Sequence, residues 1–240
     1  MKIGEIKRMC GKVKSASREL ALVPAELKDR AIVAMAQALV KNSGYIIRQN
    51  DKDIAAARKR KMSGSLIDRL ALNGSRIIAM ADSLFQIAKL KDPIGSVIET
   101  RKRPNGLLIK KVRVPIGVVL IIYESRPNVT SDCAGLCLKS SNAVILRGGS
   151  ETINSNRTLV KIIQAAVKNA GVPGGAVQFV DSTDRSLVNQ MLKMGGVIDL
   201  IIPRGGASLI KFVAENACMP VVTGGIGVCH TYIDSTADIS

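Results

Sequence analysis

The feature that most constrains the fold is a pair of short apolar runs that flank a helix-like segment. Val118–Tyr123 is almost wholly aliphatic, and residues 143–146 form a second run of the same kind. Between them, residues 130–139 carry apolar side chains at the spacing of a packed helix. A strand, a helix and a strand within about 30 residues predict a βαβ unit. Strands this apolar are typical of a parallel sheet that helices cover on both faces.

Polar residues follow each apolar run at the point where the predicted strand ends. Residues 124–128 follow the first run, and residues 147–151 follow the second. A third polar end contains Gly205 and Gly206 at the start of a predicted helix, with Arg204 beside them. Ligands of such sheets bind beyond the carboxyl ends of the strands, and helix N-termini bind phosphate. The same glycines would also suit a tight turn without a ligand, so the pattern alone leaves both interpretations open.

The rest of the chain predicts helices first and then alternating strands and helices. Residues 1–93 have the periodicity of amphipathic helices, and residues 97–113 suit a β-hairpin that turns at Asn105-Gly106. The later predicted elements are a helix at 154–169, a strand at 177–180, a helix at 184–194, a strand at 197–202, a helix at 207–216 and strands at 219–223 and 229–233. This order predicts an α/β fold with a Rossmann-like parallel sheet, an N-terminal helical layer and a protruding hairpin.

The strong positive charge requires that nucleic-acid binding be considered. The chain has 35 Lys and Arg residues against 19 Asp and Glu residues, which gives a net charge of +16. These basic residues are scattered, and the densest group, residues 58–61, has the pattern of a solvated helix end. Three Phe, three Tyr and no Trp leave few side chains that could stack on bases. Weak non-specific attraction is expected, and a specific nucleic-acid site is disfavoured.

The cysteine and histidine content argues against a metal centre or a disulfide framework. The five cysteines lack zinc-site spacing, and Cys133 and Cys137 lie four residues apart on a predicted apolar helix, as buried thiols do. The single histidine, His230, falls in a predicted strand, where we expect a core or hydrogen-bonded role rather than that of a base.

No apolar run reaches the ~20 residues of a membrane span, and residues 1–20 lack the apolar core of a signal peptide. A cytoplasmic location is therefore expected.

Four segments of the chain together form a specific pattern. They are YESRPNVT at 123–130, CLKSSNAVILRGGSE at 137–151, DLIIPRGG at 199–206 and TGGIGVCHTYID at 223–234. With these segments the chain resembles the γ-glutamyl phosphate reductase family of the aldehyde dehydrogenase superfamily, and the similarity extends over all 240 residues. The resemblance implies glutamate-5-semialdehyde dehydrogenase activity in proline biosynthesis. In that reaction NADPH reduces γ-glutamyl phosphate through a cysteine thiol that forms a thiohemiacetal or acyl-enzyme.

The resemblance also implies roles for individual residues. Asn128 resembles the side-chain donor of the oxyanion hole. The residues expected at the NADP cofactor are Arg147, Ser150 and Glu151 beside the adenosine ribose, and Arg204, Gly205 and Gly206 beside the pyrophosphate. Because the Arg147 guanidinium could pair with a 2′-phosphate, we expect NADP to be preferred over NAD.

The family further implies a division of the chain and a set of partners. Residues 1–93 correspond to the helical part of the cofactor-binding domain, residues 94–115 to an oligomerisation hairpin, and residues 116–240 to the Rossmann-like NADP-binding domain. The edges of such a hairpin need cover, which also favours contact with a second copy of the chain. The expected partners are γ-glutamyl phosphate as a small-molecule substrate, a homo-oligomer formed through the hairpin, and glutamate 5-kinase, with no membrane.

One departure from the family concerns the nucleophile. The family's catalytic cysteine corresponds to a position beyond Ser240, and neither Cys218 nor Cys229 matches it. Thr223 stands where many aldehyde dehydrogenases have a glutamate base. We therefore expect the chain to be the N-terminal, cofactor-binding portion of a reductase whose catalytic domain is missing, and to be inactive alone. The alternatives are a catalytically silent NADP-binding or oligomer-forming fragment and a basic nucleic-acid-binding module.

Overall fold

The computed structural model of the protein describes residues 3–124, 126–224, 228 and 230–238. The helices in these residues are α1 (Ile3–Leu20), α2 (Ala25–Lys41), α3 (Ser43–Lys59), α4 (Gly64–Leu70), α5 (Gly74–Lys89), α6 (Asn128–Lys139), α7 (Ile153–Asn169), α8 (Ser186–Met191) and α9 (Ala207–Asn216). The strands are β1 (Val97–Lys102), β2 (Leu108–Val112), β3 (Val118–Tyr123), β4 (Ala143–Arg147), β5 (Val177–Phe179) and β6 (Leu200–Arg204). A 3-10 turn at Ser150–Thr152 connects β4 to α7.

The main sheet confirms the parallel architecture predicted from the two apolar runs. Among the described residues its strands lie in the order β5-β4-β3-β6, and every pairing is parallel. Strand β3 is central, with Val119 opposite Val144 on one side and Leu200 on the other. All six residues of β3 are buried, because helices cover both faces of the sheet.

Side chains that alternate along β3 divide the apolar interior into two cores. Val119, Ile121 and Tyr123 face a core built with α2, α5, α6 and α7. Their neighbours on the strand face a second core, which contains buried side chains of α1 and α8. Each fully buried aliphatic side chain stabilises the fold by roughly 1.5–3 kcal/mol. The expected N-terminal helices are present, but the first of them covers the opposite face of the sheet from α2 and α5.

The hairpin predicted at residues 97–113 is confirmed as a separate antiparallel sheet of β1 and β2. Gly106 adopts a φ of +86° at its turn, a conformation that costs glycine little and other residues more. Every residue of both strands is exposed. The hairpin therefore makes no contribution to either apolar core.

The last part of the chain differs from the sequence prediction. The strand predicted at 197–202 lies at Leu200–Arg204, because the amides of Val197 and Ile198 donate to the carbonyl of Met194 in a turn. Within the described residues, the strand predicted at 219–223 is reduced to one bridge, between Val221 and Ile201.

The strand predicted at 229–233 is wrong for residues 230–233, which are exposed and have no strand pairing. His230 is consequently exposed and not a core histidine. Cys229 and residues 225–227 lie outside the described residues. An alternating apolar pattern predicts a strand only where a neighbouring backbone can pair with it, and no described backbone pairs with residues 230–233.

Candidate functional site

The carboxyl ends of β3, β4 and β6 meet at one edge of the sheet, as the sequence predicted. In the strand register Ile122 lies opposite Arg147, and Tyr123 lies opposite Arg204. The backbone N–H of Glu124 donates to the carbonyl of Arg204 at 3.2 Å. The two arginines predicted at the cofactor therefore lie on either side of the end of the central strand.

A cavity of about 490 Å³ opens beside the end of β4, and we call it the Arg147 cavity. Its walls include Glu124, Arg147, Arg185, Ser208 and Phe212. Burial, followed by the nearby Arg185 guanidinium, lowers the pKa of Arg147, while Glu151 acts in the opposite direction. The buried Nε of Arg147 has no hydrogen-bond partner in the part of the chain that the structure describes. Two cations and an unused donor make this cavity suited to an anion.

The sequence analysis did not predict Arg185 as a site residue, although its position after a strand indicates that role. It precedes α8 in the polar segment that follows β5, the strand next to β4. The rule that ligand residues follow parallel strands applies to β5 as well as to β3 and β4. Applied to every strand, it would have included Arg185.

A buried chain of hydrogen bonds supports the turn that follows β4. The Tyr123 hydroxyl lies 2.6 Å from Oγ1 of Thr130, which donates to Oδ1 of Asn156 at 3.0 Å. The Asn156 amide in turn donates to Oγ1 of Thr152 at 2.9 Å. A Cβ atom on Gly148 would lie 2.0 Å from Nδ2 of Asn156, so a larger residue would have to displace this amide. The network connects the end of β3, helix α6, the turn after β4 and helix α7.

Ser150 and Glu151, the other residues predicted at the ribose, lie on this turn. The Ser150 hydroxyl is exposed and donates to Oε2 of Glu151 at 3.5 Å. The Glu151 carboxylate folds over Gly149, where an added Cβ would lie 2.1 Å from Oε1. Glu151 also raises the pKa of Arg147, which places its charge near that guanidinium. The structure therefore brings Arg147 and Glu151 together and leaves Ser150 at the rim.

The predicted pyrophosphate turn borders a second cavity, of about 720 Å³, which we call the Arg204 cavity. Arg204, Gly205 and Gly206 line it together with Glu124 and Arg126. Helix α9 begins directly after Gly206. The N–H of Gly206 donates to Oε2 of Glu124 at 3.0 Å, so a carboxylate lies where the sequence predicted a phosphate. The preference of the helix start for an anion is thus evident within the chain itself.

Asn128, the predicted oxyanion donor, is the first residue of α6. Its Nδ2 donates to Oδ2 of Asp132 at 3.3 Å. Burial raises the pKa of Asp132, although hydrogen bonds from Ser83 and Asn128 oppose the shift. The exposed side chain of Asn128 can reach a ligand at this edge of the sheet.

The described cysteines near this edge are poorly suited to nucleophilic attack. Burial, with a smaller contribution from Asp132, raises the pKa of Cys133 to about 11, although Arg204 acts against the shift. Burial also raises the pKa of Cys137. Since the thiolate is the reactive form, both thiols are unreactive near neutral pH. Cys218 is exposed but lies beyond α9, and it does not border the Arg147 or Arg204 cavity.

Two further properties concern the described residues alone. They contain no group of three or more His, Cys, Asp or Glu side chains that could hold a metal ion. None of their helices combines the length and apolar character required to cross a bilayer.

Comparison with known proteins identifies the family of this fold and site. The model of the aldehyde dehydrogenase family matches residues 5–239. The chain belongs to the aldehyde dehydrogenase family. This membership implies a nicotinamide cofactor, which agrees with cavities at the carboxyl ends of parallel strands.

Similar proteins carry a more specific name. The chain is 52% identical over 234 residues to the γ-glutamyl phosphate reductase of Caldanaerobacter subterraneus, a match that covers 98% of the chain and 56% of the relative. The crystal structure of γ-glutamyl phosphate reductase from Thermotoga maritima superposes with a TM-score of 0.92 at 44% identity, over 98% of the chain and 56% of that protein. The enzyme from Saccharomyces cerevisiae gives a TM-score of 0.84 at 30% identity, over 92% and 56% of the two chains. The chain thus spans just over half the length of these relatives.

Proposed function

We propose that the protein supplies the cofactor-binding part of an enzyme that reduces γ-glutamyl phosphate to glutamate-5-semialdehyde with NADPH, in the cytoplasm, as a step of proline biosynthesis, and that the chain alone is inactive. In this proposal residues 1–93 and 116–240 form the NADP-binding domain, and residues 94–115 form an oligomerisation hairpin. The observation that carries the proposal is the position of Arg147 and Arg185 around one cavity at the carboxyl edge of the sheet. The names of relatives that are up to 53% identical supply the substrate.

The Arg147 cavity fits the 2′-phosphate that distinguishes NADP from NAD. Arg147 and Arg185 repel each other without a ligand, which contributes to the lowered pKa of Arg147. A phosphate dianion between the two guanidinium groups would remove this repulsion and accept a hydrogen bond from the buried Nε of Arg147. The Glu151 carboxylate, whose charge acts on Arg147, would accept a hydrogen bond from the remaining ribose hydroxyl in this proposal. The residues present therefore fit the phosphorylated cofactor.

The Arg204 cavity fits the pyrophosphate group of the same cofactor. Gly205 and Gly206 let a ligand approach the backbone, and the start of α9 presents N–H donors to it. Glu124 borders both this cavity and the Arg147 cavity, so one extended ligand could cross its position. Binding of pyrophosphate would require the Glu124 carboxylate to release the N–H of Gly206.

When bound, NADPH supplies the hydride that reduces the acyl group. Asn128 would donate a hydrogen bond to the oxygen of that group as negative charge develops on it. One such donor commonly lowers the barrier by about 2.7–4 kcal/mol. The start of α6, where Asn128 lies, adds the positive end of a helix dipole to the same region.

The hairpin and the substrate suggest two protein partners. Exposed apolar residues occur on both strands of the hairpin, among them Val97, Ile98, Leu108 and Ile109, which supports contact with a second copy of the chain. Glutamate 5-kinase is proposed as the partner that supplies γ-glutamyl phosphate, because acyl phosphates hydrolyse readily in water. Replacement of Ile109 by Asp should lower the oligomer size measured by light scattering.

The test of the proposed function has a binding part and a turnover part. We expect calorimetry to give a Kd for NADP at least tenfold below that for NAD. We expect the chain to reduce NADP in the presence of glutamate-5-semialdehyde and phosphate only when the C-terminal portion of a γ-glutamyl phosphate reductase is added as a separate chain. Equal affinity for the two cofactors would contradict the NADP assignment, and turnover of other aldehydes at equal rates would contradict the substrate.

A further inference from the structure

A third cavity lies between the start of α6 and helices α4 and α5. Its volume is about 490 Å³, which is within the ~300–1,000 Å³ of typical ligand sites. The polar side chains that matter for its chemistry are Arg69, Ser83, Arg126, Asn128 and Asp132. We call it the Asp132 cavity. Neither the packing of the fold nor the proposed cofactor site explains why a carboxylate and several guanidinium groups border this cavity.

The acidic side of this cavity is the Asp132 carboxylate. Its Oδ1 accepts a hydrogen bond from the Ser83 hydroxyl at 2.9 Å, and its Oδ2 accepts one from Asn128 at 3.3 Å. A carboxylate has acceptor sites for about four hydrogen bonds, so capacity remains on both oxygens. No Lys or Arg among the described residues forms an ion pair with Asp132. The carboxylate is thus half-buried without a cation.

The basic side of the cavity consists of arginines in two different states. Arg76 is held in place, because its guanidinium donates to the Asp68 carboxylate and to the Ala71 carbonyl, both at 2.8 Å. Arg69 and Arg126 border the same cavity and form no ion pair with a described residue. The cavity therefore offers one carboxylate and two available guanidinium groups, which together complement a ligand that carries both signs of charge.

We propose that the Asp132 cavity binds the amino-acid end of the substrate. Asp132 receives the α-ammonium group, Arg69 receives the α-carboxylate, and Arg126 faces the acyl phosphate. This inference rests on the proposed function, which supplies a glutamyl substrate with those three groups.

The position of Asn128 supports this orientation of the substrate. The Asn128 amide and the Asp132 carboxylate lie 3.3 Å apart at the start of α6. The three carbon–carbon bonds between the α-carbon of a glutamyl group and its reacting carbonyl carbon span a comparable distance. A ligand whose ammonium group lies at Asp132 can thus place its carbonyl oxygen near the Asn128 amide. Arg126 also borders the Arg204 cavity, which places its charge between the two sites.

An aldehyde without an amino group would leave Asp132 without its cation. Burial raises the pKa of Asp132, and an ammonium group would offset this cost of desolvation. Selectivity for amino aldehydes is therefore expected to depend on this single carboxylate.

The test compares substrates that each lack one group. The chain, with the C-terminal portion of a γ-glutamyl phosphate reductase added, is assayed with NADP, phosphate and one of three aldehydes: glutamate-5-semialdehyde, 5-oxopentanoate without the amino group, and 4-aminobutanal without the carboxylate. Asp132→Asn should lower kcat/KM for glutamate-5-semialdehyde by about tenfold or more, mainly through KM, since it removes a charge-assisted contact. Its effect on 5-oxopentanoate should remain below about threefold. Arg69→Gln should reduce selectivity only against 4-aminobutanal.

Controls separate this inference from the proposed function. Asp82→Asn, which removes an exposed carboxylate from α5, should change none of the three values. If Asp132→Asn lowers kcat for all aldehydes equally, Asp132 acts only through Asn128 and the inference is wrong. If no aldehyde is turned over, the proposed function fails, and calorimetry with L-glutamate and glutarate decides the inference. Asp132→Asn should then weaken the binding of L-glutamate and leave that of glutarate unchanged. Equal affinity of the unmodified protein for the two acids would overturn the inference.

Discussion

The Glu124 carboxylate accepts a hydrogen bond from the backbone N–H of Gly206 at 3.0 Å, across the ends of two neighbouring strands. A carboxylate thus lies at the helix start where the family's cofactor is expected to place its pyrophosphate. The two anions cannot use the same N–H group at once. Cofactor binding should therefore compete with Glu124.

Glu124→Gln should strengthen NADPH binding by about two- to fivefold, because a charge at a helix terminus commonly changes free energies by about 0.3–1 kcal/mol. Glutamine keeps the hydrogen-bond acceptor and removes the negative charge. Titration of NADPH fluorescence would measure the change. Glu215→Gln, at the other end of α9, is the matched control and should have no effect. Weaker binding by Glu124→Gln would mean that Glu124 contacts the cofactor directly.

Arg147→Ala should reduce the preference for NADP over NAD by about tenfold or more, since a hydrogen bond to a charged group contributes about 1.5–3 kcal/mol. Arg185→Ala should act in the same direction but less, because Arg185 is exposed and Arg147 is half-buried. Calorimetry with both cofactors checks the change. Arg18→Ala removes the same charge from an exposed position on α1 and should leave the ratio unchanged. An equal loss of NAD and NADP affinity in Arg147→Ala would argue for a general effect on the fold.

Gly148→Ala should destabilise the protein by about 1–3 kcal/mol, the usual cost of overpacking. The added Cβ would lie 2.0 Å from Nδ2 of Asn156 and 3.2 Å from the Tyr123 ring, within the buried network below the cofactor turn. Urea denaturation followed by circular dichroism would measure the loss. Gly11→Ala is the matched control: it meets no atom within 4 Å in α1 and should stabilise the helix by up to ~1 kcal/mol. Unchanged stability in Gly148→Ala would show that the network can move aside.

The ion pair between the buried Lys28 and the partly exposed Asp92 should make stability depend on pH. Burial raises the pKa of Asp92, but the hydrogen bonds from Lys28 and Ile94 and the charges of Lys28 and Lys139 lower it overall. A carboxyl group with a lowered folded pKa stabilises the protein above its unfolded pKa near 3.8, and this contribution is lost as the pH falls through the folded value. Denaturation curves between pH 5 and about pH 2 should show the loss in the native protein and less of it in Asp92→Asn.

Asp92→Asn should also cost about 3 kcal/mol at neutral pH, the lower end of the range for breaking a buried pair. It leaves the Lys28 ammonium, whose side chain is 1% exposed, without its counter-charge. Lys28→Met should cost less, because Asp92 keeps some contact with solvent. A larger loss of stability in Lys28→Met than in Asp92→Asn would contradict this account.

Alkylation by iodoacetamide at pH 8 should modify Cys218 well before Cys133. Cys218 is exposed, whereas burial raises the pKa of Cys133 to about 11 and leaves little thiolate at that pH. Peptide mass spectrometry would identify the modified site, and Cys218→Ser serves as the control. Rapid modification of Cys133 would mean that the start of α6 opens readily in solution.

The strand β3 and the helix α9 could be predicted to the residue, because each is bounded by a clear change in pattern. The bounds of β6 could not be predicted in this way. The turn at Val197 and Ile198, which delays the strand, depends on hydrogen bonds to Met194 that no apolar pattern encodes. The strand-end rule correctly placed Arg147 and Arg204 at the carboxyl edge of the sheet, and their role at a cofactor stays a prediction.

Arg185 and the Asp132 cavity depend on contacts between elements distant in sequence, which explains why they were not predicted. Arg185 joins Arg147 only because β5 lies next to β4. Asp132 meets Ser83 only because α5 packs on α6. Both relationships follow from tertiary packing and not from local spacing.

Helix α6 is anchored at the end remote from the proposed chemistry. The Lys28 ammonium donates to the Ser141 hydroxyl at 2.7 Å, and the Lys139 ammonium contacts Asp29 and donates to the Ala88 carbonyl at 2.8 Å. The helix has 12 residues and extends about 18 Å from this anchor to Asn128. The position of Asn128 therefore depends on contacts at the far end of the helix, within the helical layer. Substitutions at Lys28, Asp29 and Asp92 are consequently expected to affect the site as well as the free energy of unfolding, although none of the three borders a cavity described above.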